Sequence, residues 1–240
     1  MDNTEYNPYS LEAQERAAAP VFSRLLTKVY LWMTLSLAVT GLTAWFVAYD
    51  TDFIFTLLSN KVVFWGIAIA ELALVWILSA NIGRMSFATA GVMFAVYSVL
   101  NGVTMSVIFL AYTAESIAST FLTTAATFGA MTLIGATVKR DLSTFGRVLT
   151  MALVGLIIAT VVNLFVASDT LSGVVTYAGV LIFCGLTAYD TQKMREILKA
   201  HSENGGDYLL KIALLCSLSL YLDFINLFLY LLRIFGNGKK

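Results

Sequence analysis

The 240-residue chain carries 15 basic and 15 acidic side chains, so its charge sums to zero, while 59% of it is hydrophobic and only 12% charged. A soluble domain carries about twice that charged fraction, and 16 Phe, 11 Tyr and 4 Trp at a mean hydropathy of +0.81 leave too little polar surface to cover a water-soluble globule. The balance excludes a nucleic-acid binder, which needs a clustered basic surplus. It also excludes a disordered chain, which needs low hydrophobicity and high net charge.

A spanning helix takes about 20 mostly apolar residues. In chain order seven such runs occur, at 29–49, 62–80, 86–112, 116–138, 148–167, 174–190 and 210–235. The polar stretches Tyr49-Asp50-Thr51-Asp52, Lys139-Arg140-Asp141 and Ser168-Asp169 punctuate them. The expected fold is all-α and integral to the membrane, a seven-helix bundle over residues 29–236. A cytoplasmic segment, 1–28, precedes it and a short tail, 237–240, follows. The first run begins too late and is too long for a signal peptide. Cys184 and Cys216 both lie inside apolar runs and read as small core residues rather than a disulfide. No phosphate loop, dinucleotide fingerprint or metal-ligand spacing is present, and the single histidine, His201, sits in a charged loop.

Lys and Arg are retained on the cytoplasmic side. Arg16, Arg24 and Lys28 precede the first run, and Arg84, Lys139, Arg140, Arg147, Lys193, Arg195, Lys199 and Lys211 lie in or beside alternate loops, together eleven of the 15 cations. The opposite loops hold Lys61 among Asp50, Asp52, Glu115 and Asp169. The N-terminus is therefore expected in the cytoplasm. Seven crossings then put Arg233, Lys239 and Lys240 outside, against the rule; a re-entrant last segment is the alternative.

A carboxylate in the middle of a spanning helix persists where it faces a bundle interior, a wet cavity or a partner. Glu71 lies near the centre of the second run, Asp223 near the centre of the last, and Asp190 closes the sixth. For Asp223 the plain alternative is a structural anchor to a neighbouring helix, and for Glu71 a cross-link between two helices. Cys216, Ser219, Asp223, Asn226 and Tyr230 share one face of a 3.6-period helix, a polar stripe that points inward. Tyr97, Asn101 and Thr104 form a similar cue in the third run. In the fifth, Gly155, Ala159 and Asn163 read chiefly as a close-approach stripe. Arg84 is placed to reach a carboxylate at the cytoplasmic helix ends, or serves only as a topology determinant. Asp190 and Asp223 meet only if the seventh helix begins well inside the cytoplasm, which Gly205-Gly206 and a capping Asp207 permit. Two carboxylates so placed would share a proton and could hold calcium, a cation that prefers oxygen ligands.

The segment Leu218-Ser219-Leu220-Tyr221-Leu222-Asp223-Phe224-Ile225-Asn226-Leu227-Phe228 with Leu231-Leu232-Arg233 resembles the last transmembrane helix of the Bax inhibitor family. Ala188-Tyr189-Asp190, Lys139-Arg140-Asp141-Leu142-Ser143 and Asn101-Gly102-Val103-Thr104 are further points of similarity, and the likeness runs from about Thr27 to Gly236. The resemblance implies a seven-helix fold with the last helix at the centre and, as in bacterial members, a pH-sensitive calcium leak. It implies that Asp190 and Asp223 are a paired sensor whose protonation opens and closes the path. It further implies that an arginine after the second helix latches one of them, with Arg84 the nearest candidate. Animal members are tied to control of cell death.

The leading expectation is thus a non-enzymatic cation leak through the bilayer, with calcium and protons as its partners and no cofactor. Arg84, Glu71, Asn101, Ser219 and Asn226 are candidate latch or pore-lining residues. A non-conducting regulator of other membrane proteins and a proton-coupled transporter are the alternatives. An intramembrane aspartyl protease also uses two aspartates, one in a Tyr-Asp pair like Tyr189-Asp190. Here, however, no glycine precedes Asp223 in the way that class requires, and the only prolines, Pro8 and Pro20, come before the bundle. A retinal pigment is excluded, because no lysine lies at the centre of the last helix.

Overall fold

The computed structural model describes residues 8–200 and 206–239, and of residues 8–21 and Thr51 the backbone alone. His201, Gly205 and Lys240 lie outside the described residues. The elements in order are α1 (Pro8–Tyr49), α2 (Thr51–Ser59), α3 (Lys61–Asn81), α4 (Phe87–Met105), α5 (Ile108–Ala111), α6 (Ala114–Thr137), α7 (Ser143–Val166), α8 (Asp169–Ala200) and α9 (Asp207–Phe235). Among the described residues, seven helical stretches are long and apolar enough to cross a membrane, in register with the seven apolar runs.

Local polar chemistry starts these helices. Side chains of Asp50, Asn60, Ser86 and Thr113 accept bonds from the first free amides of α2, α3, α4 and α6, the usual use of Asx, Ser and Thr at an N-cap. The Asp50 and Asn60 caps turn the segment expected as a plain loop into the short helix α2. The third run is not one helix: α4 stops at Met105 and α5 resumes at Ile108. Within the break the buried Ser106 hydroxyl donates to the Val103 carbonyl at 2.6 Å, and such local bonds compete with the helical ladder.

One helix runs well past its apolar run and another begins three residues before its own. α8 continues ten residues beyond Asp190 to Ala200, and α9 begins twelve residues before Ser219. Gly206 opens α9 at φ 82, a conformation that suits glycine. Asp207 is not the cap expected of it: no side chain caps this terminus, and Asp207 instead pairs with Lys211 at 3.7 Å in the first turn, where an acid also complements the helix dipole.

The bundle assembles around these spans. α1 packs on α4 and α9, α3 on α4, and α8 on α6, α7 and α9, while α9 also touches α4 and α6. α9 has the largest buried share of the seven spans, with Leu214, Leu220, Tyr221 and Leu227 fully enclosed. The outside is apolar, as Leu72, Trp76, Phe165 and Leu181 show. Such a belt suits hydrocarbon, in which helices satisfy their own backbone. Close approach is made by Gly102, where a Cβ would sit 2.6 Å from that of Thr43, and not by Gly155, which has nothing within 4 Å. Of the expected stripe on α7, Gly155 therefore meets no neighbour, while Ala159 packs against the core. Asn163, its third member, accepts a bond from the Ser168 amide and shapes the α7–α8 turn.

The chain end is tied to one end of the bundle. Beyond α9, Gly238 bridges Tyr112, the Thr113 amide donates to the Asn237 carbonyl, and the Lys239 amide donates to the Ala111 carbonyl. The Asn237 amide donates to the Ser116 hydroxyl, and the Lys239 ammonium donates to the Phe109 carbonyl at 2.7 Å. The tail thus closes on the loop between α5 and α6, at the bundle end opposite the entry of α1. α9 is one continuous helix of 29 residues, long and apolar enough to cross a membrane. The lysine that breaks the charge pattern serves as a local hydrogen-bond donor.

Candidate functional site

The site is built on the α8–α9 hairpin. Because the polar stripe of α9 faces α8, the Ser219 hydroxyl donates to Asp190 Oδ2 at 2.5 Å. Ser219 and Asp223 are one helical turn apart, about 6 Å along the axis, so the two carboxylates come from facing helices at neighbouring levels. They interact electrostatically without a direct hydrogen bond. Asp223 is buried, and its Oδ2 has no hydrogen-bond partner. Asp190 lines a cavity of about 110 Å³ with Lys193, Met194, Ile197, Leu215, Cys216 and Ser219. Both groups lie well inside the hairpin: Asp190 is about 15 Å from the end of α8 and Ser219 about 18 Å from the start of α9 by helical rise.

Other members of the stripe have structural roles. Asn226 donates to the Leu222 carbonyl of its own helix at 2.8 Å. The Tyr230 ring stacks on Phe183, and the Arg233 guanidinium lies 5.6 Å from its centre.

Arg84 is exposed in the turn after α3 and forms no ion pair with either aspartate. The cation that ties α9 to this turn is Lys211, which donates to the Met85 carbonyl at 3.1 Å. A second residue that sequence reasoning missed is Gln192, two positions past Asp190. Its amide oxygen accepts from the Leu142 amide at 2.8 Å, and its nitrogen donates to the carbonyls of Arg140 at 2.9 Å and Val138 at 3.3 Å. The Lys139-to-Ser143 segment is thereby pinned beside α8. In the same segment, bonds from Ser143 hold the exposed Asp141 carboxyl below its ordinary range.

Glu71 and Asn101 form a separate polar centre. Thr104 donates to Glu71 Oε1 at 2.9 Å and the Asn101 amide to Oε2 at 3.4 Å. The inward cue of Tyr97, Asn101 and Thr104 is thus realised, but against α3 and α9 rather than against the aspartates. Among the described residues no group of three or more His, Cys, Asp or Glu is disposed to hold a metal ion.

Seven spanning helices with a carboxylate pair between the last two define a multi-pass membrane protein that keeps titratable groups inside its bundle. A family model described as "Inhibitor of apoptosis-promoting Bax1" matches residues 23–240, and the chain belongs to that family, the Bax inhibitor family. It is 50% identical over 214 residues to "Inner membrane protein YbhL" of Escherichia coli (strain K12), covering 89% of this chain and 92% of that one. A protein of Deinococcus radiodurans is 39% identical over 214 residues, 89% of this chain and 90% of its own. One of Borreliella burgdorferi is 39% identical over 230 residues, 95% and 97% respectively.

Proposed function

We propose that this protein is a transport protein rather than an enzyme, a leak path for cations and above all calcium, opened and closed by protons shared between Asp190 and Asp223. The single observation that carries the reading is the unpartnered, buried carboxylate oxygen of Asp223 beside an Asp190 that lines a cavity. A membrane-buried acid without a hydrogen-bond partner is costly unless it serves an ion or proton. Calcium takes six to eight oxygens. The two aspartates and Ser219 supply part of that shell, which suits an ion in passage rather than a resident one, and no cofactor is needed.

Placement in the inner membrane follows the name of the Escherichia coli relative, and a cytoplasmic N-terminus follows the distribution of Lys and Arg. The resemblance that names α9 as the axis of the bundle agrees with its large buried share. The test is calcium entry into dye-loaded liposomes containing the purified protein. Flux that rises or falls with pH and loses that dependence in Asp223→Asn is expected. Absent flux, or flux indifferent to both, overturns the proposal. Calcium movement that needs an opposing proton gradient would mark exchange instead of a leak.

A further inference from the structure

A chain of polar contacts runs through the membrane span on the side of α9 away from the aspartate pair. It starts at Glu71 on α3, passes Asn101 on α4 and reaches Tyr221 on α9, whose hydroxyl lies 3.0 Å from the Asn101 amide. Tyr221 in turn lies 2.7 Å from the Thr40 hydroxyl of α1, which lies 2.9 Å from the Ser98 carbonyl. Thr40, Asn101 and Tyr221 are all buried, so each contact needs a proton from within the chain.

The protons can be counted. An ionised Glu71 only accepts, so the Asn101 nitrogen must face it and the Asn101 oxygen must face Tyr221. Tyr221 and Thr40 then have two hydroxyl protons for three contacts: Tyr221 with Asn101, Tyr221 with Thr40, and Thr40 with the Ser98 carbonyl. One pair of oxygens is left facing without a proton. Turning the Asn101 amide over exchanges its nitrogen and oxygen at nearly unchanged positions. Asn101 then donates to Tyr221, Tyr221 to Thr40 and Thr40 to Ser98, and all three contacts are made. That arrangement needs Glu71 to donate to the Asn101 oxygen, which only the protonated acid does. Thr104 donates to the other Glu71 oxygen in both states.

We infer that Glu71 is a second proton-binding site, and that its protonation sets the direction of a hydrogen-bond chain through Asn101 and Tyr221 to Thr40, fastening α3 to α9 and α1. α3 is where such a fastening matters, since it has the smallest buried share of the seven spans and packs chiefly on α4. The titratable groups that feel the Glu71 charge are Tyr97 from α4 and Tyr221 from α9. Asp52 in the first turn of α2 is the acid of the other helix packed on α3. The inference does not depend on ion conduction.

The test uses the full chain in lipid nanodiscs with both sensor aspartates replaced, Asp190→Asn and Asp223→Asn, so that their titration is removed. The completed chain stabilises the fold at low pH, and that contribution is lost as pH rises through the Glu71 titration. The thermal midpoint of this background should therefore fall with rising pH by about 2–4 °C, the shift expected for roughly one hydrogen bond in a chain of this size. Glu71→Gln, whose amide donates to Asn101 while accepting from Thr104, should hold the higher midpoint at every pH. Tyr221→Phe should reduce the pH dependence, leaving only the part that comes from burying the Glu71 charge. In the unaltered protein, the protonated-carboxyl infrared band that Glu71→Gln removes should move in Tyr221→Phe. A midpoint whose pH dependence survives Glu71→Gln, or a band unmoved by Tyr221→Phe, overturns the inference.

Discussion

Ser219 of α9 donates its hydroxyl proton to Asp190 of α8 at 2.5 Å, one turn from the unpartnered carboxylate of Asp223. The contact fixes the rotation of two neighbouring helices about each other and leaves one aspartate served and the other free. Ser219→Ala should destabilise the fold by about 0.5–2 kcal/mol, the range spanned by bonds to charged groups and bonds inside membranes. Ser219→Thr should restore most of it. Thermal midpoints in nanodiscs check this, at about 2–4 °C per kcal/mol.

Asp223 carries the opposite prediction. Removing a buried group that lacks a partner relieves a desolvation cost, so Asp223→Asn and Asp223→Leu should leave stability unchanged or raise it while abolishing the pH dependence of calcium flux. A structural anchor would behave otherwise: both variants would lose stability, by an amount read in the same melting experiment.

Gln192 makes three bonds to the segment between α6 and α7. Gln192→Ala should free that segment with little effect on the bundle. Trypsin should then cut after Lys139 or Arg140, both exposed, many-fold faster than in the unaltered protein, and the Leu142 amide should lose its protection from hydrogen exchange.

Two glycines should respond in opposite ways. Gly102→Ala places a Cβ 2.6 Å from the Thr43 Cβ and 2.7 Å from the Thr40 carbonyl oxygen, an overpacking worth about 1–3 kcal/mol of lost stability. Gly155→Ala meets nothing within 4 Å and should gain about 0.5–1 kcal/mol from helix propensity. Parallel melting curves of the two variants decide it.

The seven spans were legible in the sequence because bilayer thickness fixes the length of an apolar run. Asp190, Asp223 and Ser219 were legible because carboxylates and their helical neighbours stand out in apolar surroundings. How the pair meets was less visible. The last ten residues of α8 include Lys193, Arg195, Glu196 and Lys199, and hydropathy does not register a helix that continues into a charged stretch. The Thr40–Tyr221 contact leaves no mark in the sequence, since a lone hydroxyl on an apolar helix is compatible with lipid, and only the fold shows them touching. Gln192 and Lys211 act on backbone carbonyls of distant turns, a relationship that leaves no periodic trace. Charge and loop position mark Arg84 as a candidate latch, yet it is exposed and forms no ion pair with either aspartate, and Lys211 makes the contact with that turn.

The tail from Gly236 to Lys239, threaded against Tyr112 and Ser116, bears on how the protein is handled at the bench. A reporter or purification tag joined directly to this end would tug the strand off the α5–α6 loop and release the Phe109 carbonyl from Lys239. Topology reporters and affinity handles therefore belong behind a flexible spacer, so that the protein being assayed keeps its own latch shut.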